Sequence, residues 1–185
     1  TNHYATQVND KQGAVTHLVL KNRETNEEKV IETDLVVIAT GTKPETTLAK
    51  HIGCMIGKTG GIVVNENVET SIEKVYAVGD CTEYFDFVTG EPVGVGLGSI
   101  GVRQGIAAGT NAAGGSYSLP KGFLMTRTSE FFGVEIAAVG PIKASLKNKA
   151  ILSGKYKGLS VPDYFPGGKP IAMKIHVEES TGRIL

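Results

Sequence analysis

The sequence predicts an α/β fold with a β-rich C-terminal part, and three observations lead to this prediction. Two apolar runs, residues 35–39 and 75–78, lack polar alternation, as is typical of strands covered on both faces. A glycine-studded stretch at residues 97–113 favours a helix that ends at residues 114–115. After Pro120 apolar and polar residues alternate, which indicates antiparallel strands.

The composition excludes several classes of protein. Lysine plus arginine equals aspartate plus glutamate at 19 residues each, so no overall charge favours nucleic acid or an anionic membrane. No apolar stretch approaches the roughly 20 residues that cross a bilayer, and the first residues do not resemble a signal peptide. We therefore expect a cytoplasmic protein that binds neither nucleic acid nor membrane.

The N-terminal residues read as a β-meander followed by a buried strand. Residues 14–20 form a predicted strand, residues 21–28 a charged turn region and residues 29–32 the returning strand. The apolar run at residues 35–39 is the predicted buried strand, and residues 40–44 end it because they contain a glycine and a proline.

The middle of the chain predicts short elements separated by turns. Residues 46–51 favour a short helix and residues 62–64 a strand. The second apolar run is predicted to end at Gly79 and Asp80, and a long loop through Pro92 then leads to the glycine-rich helix.

The last residues predict an unfinished hairpin. Alternation over residues 171–177 indicates a half-buried strand, residues 179–182 form a turn, and only residues 183–185 follow. We expect the sequence to be truncated at this end, because a hairpin whose second strand stops after three residues leaves backbone N–H and C=O groups unpaired. We expect truncation at the start as well, since a doubly wound sheet needs more strands than this sequence supplies.

The cysteines and histidines do not indicate a metal site. Cys54 and Cys81 belong to no metal-ligand or redox-pair spacing, and the four histidines are scattered. We expect both cysteines to be reduced, buried thiols.

Gly79 and Asp80 form a candidate ligand-binding pair. In open α/β sheets, ligands bind beyond the carboxyl ends of the strands. Gly79 permits close approach to the backbone, and the Asp80 carboxylate can accept a charge-assisted hydrogen bond worth about 1.5–3 kcal/mol. The alternative is that Asp80 only caps a turn or helix.

The start of the glycine-rich helix is the second candidate site. Gly96, Leu97, Gly98 and Ser99 precede or open the helix, whose first N–H groups lack intrahelical partners. Such a terminus can stabilise negative charge, for example on the pyrimidine edge of a reduced flavin, by about 0.3–1 kcal/mol.

Further along this helix Gly101, Gly105 and Gly109 recur on one face, which predicts very close packing, either against a ligand or only against a strand. Residues 96–101 also match the dinucleotide fingerprint GxGxxG. We reject this match because it follows a proline-containing loop and lacks the acidic residue roughly 20 positions later.

Together these motifs resemble those of the pyridine nucleotide-disulfide oxidoreductase family. The likeness is greatest to the NADH oxidase, NADH peroxidase and coenzyme A-disulfide reductase branch, and it is strong over residues 34–115. The resembling motifs are Asp-Leu-Val-Val-Ile-Ala-Thr-Gly at residues 34–41, Pro44, Thr70 and Ser71, Tyr-Ala-Val-Gly-Asp-Cys at residues 76–81, Leu-Gly-Ser at residues 97–99, Gln104 and Gly105, and Tyr-Phe-Pro-Gly at residues 164–167.

This resemblance implies three domains and two cofactors. Residues 1–41 would end an NAD(P)H-binding domain, residues 42–115 would be the C-terminal half of an FAD-binding domain, and residues 116–185 would begin a truncated α+β dimerisation domain. The implied cofactors are FAD and NAD(P)H, and the implied partners are a second subunit and a small-molecule electron acceptor.

The resemblance also implies residue roles. Asp80 would hold the ribityl chain of FAD, residues 96–99 would face its ring, and Thr40 and Gly41 would lie near the nicotinamide nucleotide. Tyr164 would reach the active site of the partner subunit. No catalytic residue is expected in this sequence, because the redox cysteine of this branch and both nucleotide fingerprints would lie upstream.

The implied activity is hydride transfer from NAD(P)H through FAD to oxygen, peroxide or a disulfide, with little or no turnover by the isolated 185 residues. Two alternatives stay open. One is a non-catalytic dimerisation or protein-binding module, and the other is a reductase component that passes electrons to a separate acceptor protein.

Overall fold

The computed structural model describes residues 2–146 and 149–185. The chain divides into two compact units, Thr1–Thr42 and Lys43–Leu185.

The first unit contains a three-stranded antiparallel meander in the order β1 (His3–Lys11), β2 (Ala14–Asn22) and β3 (Glu28–Glu32). The strands predicted over residues 14–20 and 29–32 are confirmed as β2 and β3. Strand β1 was not predicted, because its sequence is largely polar and carries no regular alternation. It pairs with β2 through a tight turn at Gln12 and Gly13, which both adopt positive φ.

The predicted buried strand at residues 35–39 is wrong for this structure. The segment follows the meander without joining a sheet, and Leu35, Val37 and Ile38 are 75%, 79% and 78% exposed. An apolar run becomes a buried strand only when neighbouring strands pair with it. No strand of the described ranges does so.

The second unit begins with α1 (Thr47–His51), followed by a small mixed sheet of β4 (Ile62–Val63), β5 (Thr82–Phe85) and β6 (Pro92–Gly94). Strand β5 lies between the other two, parallel to β4 and antiparallel to β6. The predicted short helix and the strand at residues 62–64 are confirmed with slightly shorter bounds.

The long loop predicted before the glycine-rich helix is wrong, because β5 and β6 form a hairpin there. The Asp86 carboxylate accepts hydrogen bonds from the N–H of Val88 at 3.0 Å and of Thr89 at 2.8 Å. Asp86 is also buried, at 2% exposure. An aspartate that bonds the backbone two and three residues later stabilises a tight turn, and this turn sets the pairing of β5 with β6.

The strand predicted at residues 75–78 is also wrong in its extent. Only Tyr76 makes a bridge, to Glu69. On the same edge the N–H of Thr70 donates to the carbonyl of Val75 at 2.8 Å, and that of Ala77 to the carbonyl of Val68 at 3.2 Å. The segment is therefore extended and paired briefly on one side, without forming a ladder.

The glycine-rich helix α2 (Gly98–Ala112) confirms the prediction for residues 97–113, and Gly114 follows it with a φ of 85°. Ile100 and Ala107 of the helix belong to the same buried core as Tyr84 of β5. The buried members of this core are Val64, Val68, Tyr84, Val95, Ile100, Ala107 and Leu119.

The remaining residues form two antiparallel hairpins, as the β-rich pattern predicted. The first pairs β7 (Arg127–Phe131) with β8 (Val134–Ala138), and the second pairs β9 (Ile151–Leu159) with β10 (Pro170–Glu178). A short 3₁₀ helix, Lys143–Leu146, lies between them. The strand predicted over residues 171–177 is confirmed as β10, and a bridge from Val177 to Ile184 follows the predicted turn.

Tyr84 gives this unit a predictable response to alkaline pH. Its ring is 1% exposed, its hydroxyl donates to the carbonyl of Pro120 at 2.7 Å, and burial, assisted by the Glu66 carboxylate, raises its pKa to about 12. The pKa of a tyrosine hydroxyl in the unfolded chain is about 10. The stabilisation of the fold by the neutral Tyr84 hydroxyl is therefore fully present below about pH 10 and is lost as the pH rises towards 12. Urea unfolding across this range should show a steeper loss of stability in the wild type than in Tyr84→Phe. Parallel losses in the two proteins would contradict the prediction.

Candidate functional site

Gly79 and Asp80 form a turn at the end of the extended segment 75–78. Gly79 has a φ of 81°, a conformation that strains residues with a side chain. The N–H of Thr82 donates to the Gly79 carbonyl at 3.0 Å, which closes the turn. Asp80 is exposed at its apex, and among the described residues its carboxylate makes no hydrogen bond.

The first turn of α2 leaves backbone donors free. Leu97 precedes the helix in an extended conformation and provides no side-chain cap. Its carbonyl accepts the N–H groups of Ile100 and Gly101, both at 3.0 Å. In the part of the chain that the structure describes, the N–H groups of Leu97, Gly98 and Ser99 have no hydrogen-bond partner. Gly98 and Ser99 are exposed, so their N–H groups are available to an external acceptor.

The two candidate segments lie against each other. A Cβ atom at Gly101 would lie 3.4 Å from the Cα of Gly79, so the helix backbone approaches the turn closely. The N–H of Gly79 donates a hydrogen bond to Oε1 of Gln104 at 2.8 Å. The side chain of Gln104 is fully buried. The structure thus brings the predicted pair Gly79 and Asp80 beside the start of α2.

Sequence reasoning missed the part played by Gln104. The residue entered only as part of a family-like motif, and no role followed from it. Its position offered a signal, because it shares with Ile100 and Ala107 the face of α2 that faces the core. A polar side chain on a buried helix face needs a partner, and Gly79 supplies it.

The prediction of close packing along the whole glycine face is wrong beyond the first turn. Apart from the nearby backbone of α2 itself, a Cβ atom at Gly105 or Gly109 would meet no atom of the described residues within 4 Å. On the same side of the helix, Val102 and Ile106 are 65% and 54% exposed. Glycine permits close approach without producing it, and here no described element covers this face.

Replacing Gly105 by alanine should therefore stabilise the isolated chain. Alanine is favoured over glycine in a helix interior by about 1 kcal/mol, and nothing in the structure obstructs the added methyl group. Urea unfolding should show the increase. The control is Gly61→Ala, whose methyl group would lie 2.7 Å from a backbone atom of Thr82 and should destabilise the chain. Loss of stability in Gly105→Ala would contradict the exposed state of this helix face.

Thr40 and Gly41 lie in the first unit, whereas Gly79, Asp80 and residues 96–99 lie in the second. Thr40 and Gly41 are both exposed, and Gly41 has a φ of 89°. Their expected position near a nicotinamide nucleotide stays a prediction.

Tyr164 lies in the connection between β9 and β10 and is 79% exposed. Its ring centroid is 5.1 Å from that of Phe165, whose N–H donates to the carbonyl of Pro162 at 2.9 Å. The connection thus holds two adjacent aromatic rings at the surface. The reach of Tyr164 into a partner subunit stays a prediction.

The cysteines are free thiols, but they differ in burial. Cys54 is buried as expected, with its sulfur 3.6 Å from the hydroxyl of Thr70. Cys81 is only partly buried and donates to the Val78 carbonyl at 3.4 Å, so the expectation of a buried thiol is wrong there. Over residues 2–146 and 149–185, no cluster of three metal-ligating side chains occurs and no helix is long and apolar enough to cross a membrane.

The profile of the pyridine nucleotide-disulphide oxidoreductases matches residues 1–113. The chain belongs to this family. The family depends on FAD and uses NAD(P)H. The resemblance seen in the motifs is thus confirmed.

Curated relatives of the chain are oxidoreductases. An NADH oxidase of Methanocaldococcus jannaschii is 42% identical over 153 residues, which cover 82% of this chain and 34% of that protein. A CoA-dependent NAD(P)H sulfur oxidoreductase of Pyrococcus furiosus is 39% identical over 170 residues, covering 85% of this chain and 37% of that protein. The chain therefore spans about a third of the length of these relatives.

Solved structures share the fold along almost the whole chain. An NAD-dependent persulfide reductase from A. fulgidus has a TM-score of 0.87 and 29% identity, over 99% of this chain and 33% of that one. Bacillus anthracis CoADR-RHD has a TM-score of 0.83 and 31% identity, over 96% of this chain and 31% of that one. These likenesses confirm the α/β class, while the three-domain division stays a prediction.

The residues at the candidate site fit a flavin nucleotide chemically. The exposed Asp80 carboxylate can accept hydrogen bonds from sugar-like hydroxyls, and the free N–H groups of Gly98 and Ser99 can donate to carbonyl oxygens or to negative charge. The ribityl chain of FAD carries hydroxyl groups, and its ring carries carbonyl oxygens. Both kinds of protein group face outward at one place in the second unit.

Proposed function

We propose that these residues form part of an oxidoreductase that transfers hydride from NAD(P)H through FAD to oxygen, peroxide or a disulfide. Membership of the family and the names of the relatives support this proposal. Those names include NADH oxidases, a sulfur oxidoreductase and coenzyme A disulfide reductases, so the final acceptor stays open among these classes.

The observation that carries the proposal is the contact between the Gly79–Asp80 turn and the first turn of α2. Gln104 joins them through the 2.8 Å bond to the Gly79 N–H, while the Asp80 carboxylate and the N–H groups of Gly98 and Ser99 stay free. We assign Asp80 to the ribityl chain. We assign Gly96, Leu97, Gly98 and Ser99 to the ring, with Gly79 providing room for the ligand.

Bound FAD would supply the capacity to accept two electrons as hydride and pass them on. The chain contributes binding and electrostatics. The start of α2 can stabilise negative charge by about 0.3–1 kcal/mol, and for a two-electron couple 1 kcal/mol corresponds to roughly 20 mV. The helix would therefore adjust the reduction potential modestly, and its larger contribution is to position the cofactor.

The remaining assignments follow the family resemblance. Residues 1–41 would end the NAD(P)H-binding domain, with Thr40 and Gly41 near the nicotinamide nucleotide. Residues 42–115 would belong to the FAD-binding domain, and residues 116–185 to a dimerisation domain in which Tyr164 reaches the partner subunit.

The exposed hairpins support the proposal of a homodimer. One face of the β9–β10 hairpin is apolar, with Tyr156 opposite Met173 and Gly154 opposite Ile175. Tyr156, Met173 and Ile175 are 52%, 49% and 39% exposed. A patch of this kind commonly marks an interface. Sedimentation of the natural protein that contains this chain should give a dimer, and a monomer at micromolar concentration would contradict this part of the proposal.

The direct test of the function is cofactor content. The natural protein that contains these residues should be yellow when purified, release FAD on denaturation and oxidise NADH or NADPH. The isolated 185 residues should show little or no turnover, and robust NADH oxidation by them would contradict the role assigned here. A colourless natural protein that also fails to take up added FAD would favour a non-catalytic dimerisation or binding module. The exposed apolar hairpins suit that second function.

A further inference from the structure

Gly79, Thr82 and Gln104 form a closed circle of hydrogen bonds, which we call the amide–hydroxyl ring. The Gly79 N–H donates to Oε1 of Gln104 at 2.8 Å. Nε2 of Gln104 donates to the hydroxyl of Thr82 at 3.1 Å, and that hydroxyl donates to the Gly79 carbonyl at 2.7 Å. The ring thus uses both the N–H and the C=O of one residue of the candidate site.

The direction of every bond in the ring is determined by one donor. A backbone N–H can only donate, so the amide oxygen of Gln104 must face Gly79. The Nε2 group then faces Thr82 and can only donate, so the hydroxyl of Thr82 accepts it. The hydroxyl proton is therefore available to the Gly79 carbonyl, which lies nearer to the Thr82 oxygen than Oε1 of Gln104 does, at 2.7 Å against 3.3 Å.

The side-chain members of the ring are closed to solvent. Thr82 and Gln104 are both 0% exposed, so water does not compete for the bond between them, whereas Gly79 is half-buried. A buried polar network in which each group has its partner is rigid, whereas loss of one member leaves the others unpaired. Gln104 and Thr82 are held in turn by α2 and by β5, so the ring joins the Gly79–Asp80 turn to two separate elements.

We propose that Gln104 is a positioning residue for flavin binding, which acts through the amide–hydroxyl ring. This inference rests on the proposed function. It goes beyond that function because it gives a role to a buried side chain that touches neither the Asp80 carboxylate nor the N–H groups of Gly98 and Ser99. That role is to hold the carboxylate beside these N–H groups. Without the ring the Gly79–Asp80 turn is free to move relative to α2, and the two halves of the binding surface no longer face the ligand together.

The test measures FAD affinity in the natural protein that contains this chain, after the cofactor has been removed and added back. Gln104→Met keeps the shape of the side chain and removes both of its bonds, and Thr82→Val removes the hydroxyl without changing the branching. Each should raise the Kd for FAD by about tenfold. Thr82→Ser retains the hydroxyl and should restore an affinity within about threefold of the wild type.

Two further readouts separate positioning from general loss of stability. The absorbance and circular dichroism spectra of the bound flavin, together with its midpoint potential, should change in Gln104→Met and Thr82→Val. They should stay as in the wild type in Thr82→Ser. Tyr84→Phe is the matched control, since it removes a different, partly buried hydrogen bond of a core residue, from the Tyr84 hydroxyl to the Pro120 carbonyl. Its FAD affinity and flavin spectrum should equal those of the wild type.

The outcomes distinguish the inference from the function on which it rests. If the wild type binds no FAD, both are overturned. If the wild type binds FAD while Gln104→Met and Thr82→Val retain its affinity and spectrum, the inference is overturned and the proposed function stands. Should Gln104→Met fail to fold, the Thr82→Val and Thr82→Ser pair decides, because equal affinities in these two variants overturn the inference.

Discussion

Replacing Asp80 by asparagine is expected to weaken FAD binding by about 10- to 100-fold. Charge-assisted hydrogen bonds contribute about 1.5–3 kcal/mol, and each 1.4 kcal/mol corresponds to a tenfold change in affinity. The Asp80 carboxylate is exposed and bonds to none of the described residues, so the fold does not depend on it. Titration of the cofactor-free natural protein with FAD, followed by flavin fluorescence, measures the change.

The matched control for this prediction is Glu73→Gln. Glu73 lies in the same unit and undergoes the same change in charge, but its side chain is 84% exposed, and among the described residues its one ion pair is with Lys74 at 3.6 Å. Its FAD affinity should equal that of the wild type, because an exposed ion pair contributes little. Equal losses in both variants would indicate a general effect of net charge. If Asp80→Asn binds FAD as tightly as the wild type does, the assignment of Asp80 to the ribityl chain is wrong.

Replacing Tyr84 by alanine is expected to lower the free energy of unfolding by about 3–5 kcal/mol, the range for large aromatic residues in a well-packed core. The ring is 1% exposed and lies 5.4 Å from that of Phe123, centroid to centroid. Its hydroxyl donates to the Pro120 carbonyl at 2.7 Å, so truncation also removes this hydrogen bond. Urea unfolding should show a lower midpoint with an unchanged dependence on denaturant.

Two variants calibrate the Tyr84 result. Tyr84→Phe retains the ring and should cost about 1 kcal/mol, the usual net contribution of one hydrogen bond. Tyr164→Ala removes the same side chain from a position that is 79% exposed, and in the isolated chain it should change stability by no more than about 0.5 kcal/mol. A loss in Tyr84→Ala no larger than that in Tyr164→Ala would contradict the assignment of Tyr84 to the core.

Elements with a strong local pattern could be predicted from the sequence. Helix α2 carries a start at Leu97 and a stop at Gly114, and β10 carries strict alternation, so both were placed within one or two residues. Local signals sufficed because caps, turns and periodicity act over a few residues.

Elements that depend on distant partners were mispredicted. Residues 35–39 have the composition of a buried strand, but pairing decides whether an apolar run enters a sheet, and no described strand pairs with it. Strand β5 was read as loop, although Tyr84 in its middle belongs to the core, because its parallel partner β4 lies far upstream in the sequence.

For the candidate site, the sequence by itself determined the chemical groups. Gly79 can adopt the positive φ of the turn, Asp80 brings a carboxylate to its apex, and the glycine-rich start of α2 leaves N–H groups without a cap. Tertiary structure alone decided that these groups lie together, because Gln104 and Gly79 are 25 residues apart and meet only when α2 packs on β5. Residue types set which bonds are available, and the packing of the chain selects which of them form.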